Sequence, residues 1–300
     1  MASLRDIRRR IKSVSSIKQI TRAMEMVATT KLRRFQGRAQ ASRPFANQIE
    51  AIVGKLAAVA PEGSSRLLQQ GAKDAPVGIV VVTSDRGLCG AYNTNLLASL
   101  HRYLESRGFE TKGAGPASPK NVRLYVFGKK GYMYLSKRGY EVARYFAEPP
   151  LEKFSYQDVR VAAKQLVKDF EAGAISELQI LSTRFESMVT YKPGRAQWLP
   201  VEPPKAAAGA GGEATLDAIV EPNVQFLLDK LVPKYLEMKL WNLLLEALTS
   251  EYASRRVSMK NATDAAEEMR YSLLRTYNRA RQENITKQLL EIVGGAEALR

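Results

Sequence analysis

The sequence predicts an α/β domain bracketed in the chain by two long helices that pair as an antiparallel coiled coil. Three observations predict it. Apolar residues recur three and four apart for some fifty residues near each end. The middle of the chain alternates short β-branched runs with amphipathic stretches. Gly/Pro-rich segments separate these regions.

The first helix is predicted over 3–56. It contains one proline, Pro44, and no glycine before Gly37. Its apolar positions, Leu4, Ile7, Ile11, Val14, Ile17, Ile20, Met24, Val27, Leu32 and Phe35, form a narrow stripe suited to a coiled-coil seam. At 1.5 Å per residue such a helix is roughly 80 Å long. The segment PEGSSRLLQQGAKDAP (61–76) reads as a linker.

The period then changes. Strands are predicted at VGIVVVT (77–83), VRLYVFG (122–128), YEVARYF (140–146) and LQILSTRFE (178–186). Helices are predicted between them at 91–108, 131–139 and 156–173. This alternation implies a mainly parallel, Rossmann-like sheet covered on both faces. PVEPPKAAAGAGGEA (200–214) has no means of burying itself and reads as a loop. Helical period returns over about 222–293, with Pro233 expected to kink the helix or delay its start. From Tyr235 to Ile292 this second rod is about 85 Å long. Its seam, Ala262, Ala266, Met269, Leu273, Tyr277 and Ala280, is thin and calls for support from outside. The expected domains are 1–60, a coiled-coil helix; 77–220, the α/β domain; and 221–300, the second coiled-coil helix.

Charge sharpens the picture. The chain carries 46 Lys+Arg against 30 Asp+Glu, a net +16. Residues 1–40 hold eleven basic residues and two acids, a net +9. Such a field favours an acidic partner. A single cysteine excludes an internal disulfide and argues for a reducing compartment. No stretch approaches 18 consecutive apolar residues, and MASLRDIRRRIKSV lacks the apolar core of a secretory signal. Its Arg-rich amphipathic character raises a transit-peptide reading, but the pattern continues without a small-residue break. The expectation is a soluble protein with, at most, peripheral membrane attachment.

Catalytic signals are weak. SDRGLCGAYN (84–93) follows the first strand, where a phosphate loop would sit, yet it fits neither G-x-G-x-x-G nor G-x-x-x-x-G-K-[ST]. Cys89 lacks a neighbouring base, because the only histidine, His101, lies about 18 Å further along a helix. GKKG (128–131) fails the same tests and reads as a solvated turn. One Cys and one His make no zinc site, and no acidic cluster has calcium-loop spacing. No catalytic residue, cofactor or metal is expected. The basic helix could instead mark a nucleic-acid binder or a basic coiled-coil adaptor with an α/β head. However, Arg8, Arg9, Arg10 and Lys12 are interleaved with seam residues, as on a solvated coiled-coil face.

RDIRRRIKSVSSIKQITRAMEMVATTKLRR (5–34), SDRGLCGAYNTNL (84–96) and TYNRARQENITKQLLEIVGGAEAL (276–299) closely resemble, in that order, the gamma-subunit family of F-type ATP synthases. The resemblance runs over essentially the whole chain. It implies a non-catalytic rotor, one copy per complex, inside a hexamer of alpha and beta subunits that holds the ATP chemistry. It also implies contact with epsilon and with the membrane c-ring, coupling proton flow to ATP synthesis, and no nucleic acid. Beta contacts would fall at Lys18, Met24, Glu25, Cys89, Arg281, Gln282 and Thr286, with an apolar collar around the tip at 290–299. Glu221 would touch the ring and epsilon. The chain departs from the family pattern at Val220, where an aromatic is usual, at Ala265, where asparagine is usual, and at Val257, where methionine is common. It also lacks the dithiol insertion of the chloroplast version. The expected location is the cytoplasmic face of a bacterial inner membrane rather than an organelle.

Overall fold

The computed structural model describes residues 3–298 except 62, 73, 109–120, 189, 203–220 and 222. Residues 203–214 of the segment predicted as a loop, and Val220, lie outside the described residues. The chain forms two compact units, residues 1–30 with 255–300 and residues 31–254. Two long helices, α1 (Leu4–Val59) and α5 (Val224–Ala298), contribute to both.

In the larger unit, five strands form one sheet in the order β3-β2-β1-β4-β5. β1 (Val77–Val82), β2 (Val122–Phe127), β3 (Val142–Phe146) and β4 (Glu177–Phe185) are parallel, and β5 (Tyr191–Leu199) runs antiparallel to β4. The central strand VGIVVV is buried on both faces, which its unbroken β-branched run requires. Ile79 and Val81 face α2 (Tyr92–Ser106) and pack with Leu96, Leu100, Leu104 and Val126. α4 (Tyr156–Glu171) buries Val159, Ala162, Ala163, Leu166 and Phe170. It starts with a reciprocal cap, in which Asp158 Oδ2 accepts from the Ser155 N–H at 2.8 Å.

Four features depart from the sequence reading. β5 was not foreseen, and its sequence carries Pro193 and Gly194, residues that weaken a strand pattern. At the sheet edge, opposite Thr183 and Ser182, the missing N–H costs no ladder bond. The segment 61–76 is anchored, not a bare linker: its 3-10 turn Arg66–Leu68 buries Leu67, whose carbonyl accepts from the Val201 N–H at 2.8 Å. Pro233 sits inside α5 without delaying it. Its helix-breaking cost of about 3 kcal/mol is offset where Leu228, Val232 and Leu236 are fully buried. GKKG is not merely a solvated turn: its lysines are exposed, but both glycines pack on Thr83. A Cβ on Gly128 would lie 2.1 Å from the Thr83 carbonyl oxygen, and one on Gly131 2.6 Å from Thr83 Oγ1. Gly128 also has φ +93, and it opens α3 (Lys129–Lys137).

In the smaller unit, α1 and α5 pair in opposite directions. Arg8 donates to the Tyr277 hydroxyl (2.6 Å), Lys18 pairs with Glu267 (2.6 Å) and Thr263 with Thr21 (2.8 Å). A three-four alternation of buried and half-buried positions runs down α1 through Leu4, Ile7, Ile11, Val14, Lys18, Thr21, Glu25 and Ala28, with Asp6, Ser15, Met24 and Thr29 half-buried beside it. That corrects the apolar stripe, because Ile17, Ile20 and Val27 are 51%, 59% and 55% exposed. Steps of three from Val14 through Ile17 to Ile20 drift off the helix face, and polar Lys18 and Thr21 occupy the seam because each finds a partner across it. On α5 the seam runs through Met259, Thr263, Ala266, Arg270, Leu273, Tyr277 and Ala280. Met269, expected in it, is 57% exposed.

Candidate functional site

Two surfaces carry the residues singled out by sequence, one in each unit. On the coil, Lys18 lies in the seam bonded to Glu267, and that hydrogen bond, with the Lys18 charge, holds the Glu267 carboxyl below its ordinary pKa. Met24 and Glu25 are half-buried beside it. The flanks of α1 mix charge with apolar surface: Arg5, Lys12 and Arg33 share a heptad position with exposed Met26, while exposed Arg10 and Arg34 stand on the flank of Ile17, Ile20 and Val27.

Past Ala280, α5 is exposed through residue 296. Arg281, Gln282 and Thr286 all lie there. Gln282 and Thr286 are four apart and share a face, whereas Arg281 is rotated by about 100°. The surrounding ion pairs, Arg279–Glu283 at 3.1 Å and Lys287–Glu291 at 3.8 Å, are i,i+4 pairs in solvent and stabilise the helix only slightly. Leu289, Leu290, Ile292 and Val293 are 57–68% exposed at the same end, a concentration of apolar surface that water disfavours. Glu221 is exposed just ahead of α5, where the Asn223 side chain accepts from the Phe226 N–H at 2.7 Å and caps the first turn.

In the larger unit, the turn after β1 is held by its own polar side chains. Cys89 is 2% exposed. Its sulfur accepts from Asn93 Nδ2 at 3.3 Å and lies 3.7 Å from Ser84 Oγ, and its carbonyl accepts from Ser254 Oγ on α5 at 2.6 Å. Asn93 Nδ2 also donates to Ser84 Oγ at 2.7 Å, and its Oδ1 accepts from the Ser84 N–H. The thiol therefore faces inward. The neighbouring Leu88 faces outward, 60% exposed with φ +62, a left-handed conformation costly for a branched side chain. His101 is far along α2, between the Tyr134 and Tyr140 hydroxyls at 3.2 and 3.3 Å. Burial, then the Arg138 charge, push its pKa down.

Sequence reasoning missed the residues that tie this turn to its surroundings. Asp85 accepts from the Lys129 N–H (3.0 Å) with one oxygen and from the Leu151 N–H (2.8 Å) with the other. Glu152, in the 3-10 turn Leu151–Lys153, pairs with Lys31 of α1 and accepts from the Tyr252 hydroxyl of α5 at 2.8 Å. No local motif announces such pairs, which join positions some 44 to 121 residues apart. Among the described residues no group of three or more His, Cys, Asp or Glu side chains could hold a metal ion. No helix there is long and apolar enough to cross a membrane.

The chain thus places a mainly parallel α/β unit between the arms of an antiparallel helical coil, with charged and apolar side chains left to solvent along the coil. The family model described as ATP synthase matches residues 3–299. The ATP synthase gamma chains of Chloroherpeton thalassium and Syntrophobacter fumaroxidans are 38% and 37% identical, each aligned over 100% of this chain and 99% and 100% of their own. A chain of the Euglena gracilis mitochondrial ATP synthase, in an assembly of OSCP, F1 and c-ring, shares the fold with TM-score 0.65 at 20% identity, covering 99% of this chain and 94% of its own. A chain from the central stalk and c-ring of the Tetrahymena thermophila enzyme gives 0.57 at 21%, covering 81% and 99%. This chain belongs to the ATP synthase gamma-chain family.

Proposed function

We propose that the chain is the central-stalk rotor subunit of an F-type ATP synthase, without catalytic residues of its own, in a complex containing F1 subunits and a c-ring. In this reading a single copy stands within a hexamer of alternating alpha and beta subunits, and proton flow through the ring turns it. Epsilon and the c-ring meet it near Glu221. The complex is peripheral to the membrane, on the cytoplasmic face in a bacterium. The observation that carries the reading is the line of exposed apolar residues, Ile17, Ile20 and Val27, along one flank of a coil that is otherwise strongly cationic.

A symmetric rod would interact equally with every subunit around it and shift nothing. A ligand moves a conformational equilibrium only by its differential affinity for the states. Turning an asymmetric shaft presents the flank with Ile17, Ile20 and Val27 to one beta subunit while a different face meets another, so nucleotide sites with identical sequences are driven into different conformations. Acidic beta loops are natural counterparts for the net charge of residues 1–40, with Lys18, Met24 and Glu25 beside them. Arg281, Gln282 and Thr286 form the second contact, and the exposed apolar end of α5 turns in a greasy collar. The SDRGLCG turn meets beta through Leu88, while Cys89 supports the turn from within. The division into 1–60, 77–220 and 221–300 is proposed as two shaft arms and one foot domain.

The nucleic-acid alternative is not favoured, since Arg8 and Lys18 are spent on Tyr277 and Glu267. The test is co-purification of a tagged copy from detergent-treated membranes, followed by ATP-driven rotation of a probe on the 77–220 domain. Recovery without ATPase subunits, or co-elution with duplex DNA surviving about 200 mM salt, would refute the reading.

A further inference from the structure

Glu152 bridges both long helices to the sheet. Its Oε1 pairs with Lys31 Nζ on α1, and its Oε2 accepts from the Tyr252 hydroxyl on α5 at 2.8 Å. Lys31 also lies over the Tyr252 ring, 5.5 Å from its centroid, and that ring stacks on Phe35 of α1 at 5.5 Å and 14°. The turn that carries Glu152 is fixed to the sheet. Leu151 is buried and its N–H donates to Asp85 at the end of β1, while Phe154 packs edge-on against Phe127 of β2 at 5.8 Å. Asp85 in turn holds the start of α3 through the Lys129 N–H.

The placement is what a torsional joint needs. One carboxylate, rooted in the sheet, bonds a different helix with each oxygen. Rotating the helix pair against the sheet, or one helix against the other, must stretch at least one of the two bonds. Lys31 and Glu152 side chains are each 26% exposed, so their attraction is screened less than that of a fully exposed pair. Arg86 of the SDRGLCG turn adds a further positive charge near the carboxylate.

We propose that Glu152 is a positioning residue that latches α1 and α5 to the sheet domain and sets the torsional stiffness of the rotor, an inference that rests on the rotor reading above. The latch bears load, so its loss is felt when the complex works against a gradient more than when it hydrolyses ATP freely.

The experiment uses the assembled complex with a probe on the sheet domain and the catalytic hexamer held by a non-hydrolysable nucleotide. Angular fluctuations of the probe report stiffness directly. Glu152→Gln and Tyr252→Phe are expected to widen the angular variance by about twofold, the scale of a half-exposed ionic bridge. The paired exchange Lys31→Glu with Glu152→Lys should narrow it again. Unloaded ATP hydrolysis should stay near wild type, while the gradient sustained by ATP-driven pumping falls. A Glu152→Gln complex with wild-type variance and wild-type pumping overturns the latch. So does a widened variance that the exchanged pair leaves unchanged, which would mark a general loosening. A wild-type probe that never turns with ATP overturns the rotor reading instead.

Discussion

Ser254→Ala should open the turn around Cys89. Ser254 Oγ donates to the Cys89 carbonyl at 2.6 Å, and the two residues are 1% and 2% exposed. Deleting the hydroxyl removes one of the carbonyl's donors and leaves it the Tyr92 N–H at 3.2 Å, at a cost of about 0.5–1.5 kcal/mol. That cost falls on the closed turn, since the open turn takes its hydrogen bonds from water. Each 1.4 kcal/mol is a factor of about ten in an equilibrium, so the open population should rise roughly 2- to 12-fold. Cys89 is the only cysteine in the chain, so a maleimide reads that population at one atom. Under conditions where the turn opens and closes faster than it is labelled, the labelling rate should rise by the same factor. Thr249→Ala is the control. Thr249 is also buried on α5, but its hydroxyl donates to Leu245 O of its own helix at 2.7 Å, so labelling should change little. An unchanged labelling rate in Ser254→Ala would show that this bond does not hold the turn. An equal rise in both variants would show that α5 loosens as a whole.

Three further outcomes are expected. Cys89→Ser should leave ATP hydrolysis by the assembled complex nearly unchanged, because the thiol is buried against Asn93 and Ser84 within the turn; a hundredfold loss with intact assembly would refute this. Arg281→Ala with Gln282→Ala should lower rotation-coupled synthesis and hydrolysis without loss of assembly, and Arg281→Lys should retain part of the function, since a point charge survives but the fork is lost. Turnover is measured with subunit stoichiometry checked on the same sample, and wild-type turnover in the double variant would remove both residues from the mechanism. The Glu152 carboxyl sits in a balance: burial pushes its pKa up, but hydrogen bonds from Lys31 and Tyr252 outweigh this and hold it below the ordinary value. Its contribution is therefore complete above the ordinary glutamate range and lost as pH falls through the lowered value. In acid titrations Glu152→Gln should cut that part of the pH dependence of stability, and an identical acid limb in wild type and variant would contradict the assignment.

The sheet was legible because its strands are β-branched runs bounded by Gly-rich turns, signals that lie within a few residues of each other. VGIVVV could hardly be anything but a buried strand. The order β3-β2-β1-β4-β5 and the reversed β5 were not legible, since pairing depends on distant partners and Pro193 hides the last strand. The helices were legible in extent but not in phase. An apolar count through Ile17, Ile20 and Val27 looks correct locally, yet the seam passes through Lys18, Thr21 and Glu25. Their occupancy is decided by Glu267 and Thr263, some 250 residues away. Of the residues proposed as contacts, Lys18 and the exposed Arg281, Gln282 and Thr286 were named by resemblance. Asp85, Glu152 and Ser254 were not, because each acts only through a partner that folding brings to it.

The polar seam has a mechanical consequence. A seam of leucines would bury more apolar area and stabilise the coil by more, at about 25 cal/mol per Å2. It would also be tolerant, because an apolar side chain that slides along its groove loses little. Lys18–Glu267 and Thr21–Thr263 lose their bonds if α1 moves along α5 by even part of a turn, and unpaired polar groups in a seam are costly. Small residues between them, Ala28 on one helix and Ala266 on the other, let the backbones approach closely while contributing little burial energy. The composition thus exchanges stability for register. For a free-standing coil that would be a poor choice. For the proposed rotor shaft, whose flanks must stay in fixed angular relation as it turns, holding register is the more valuable property.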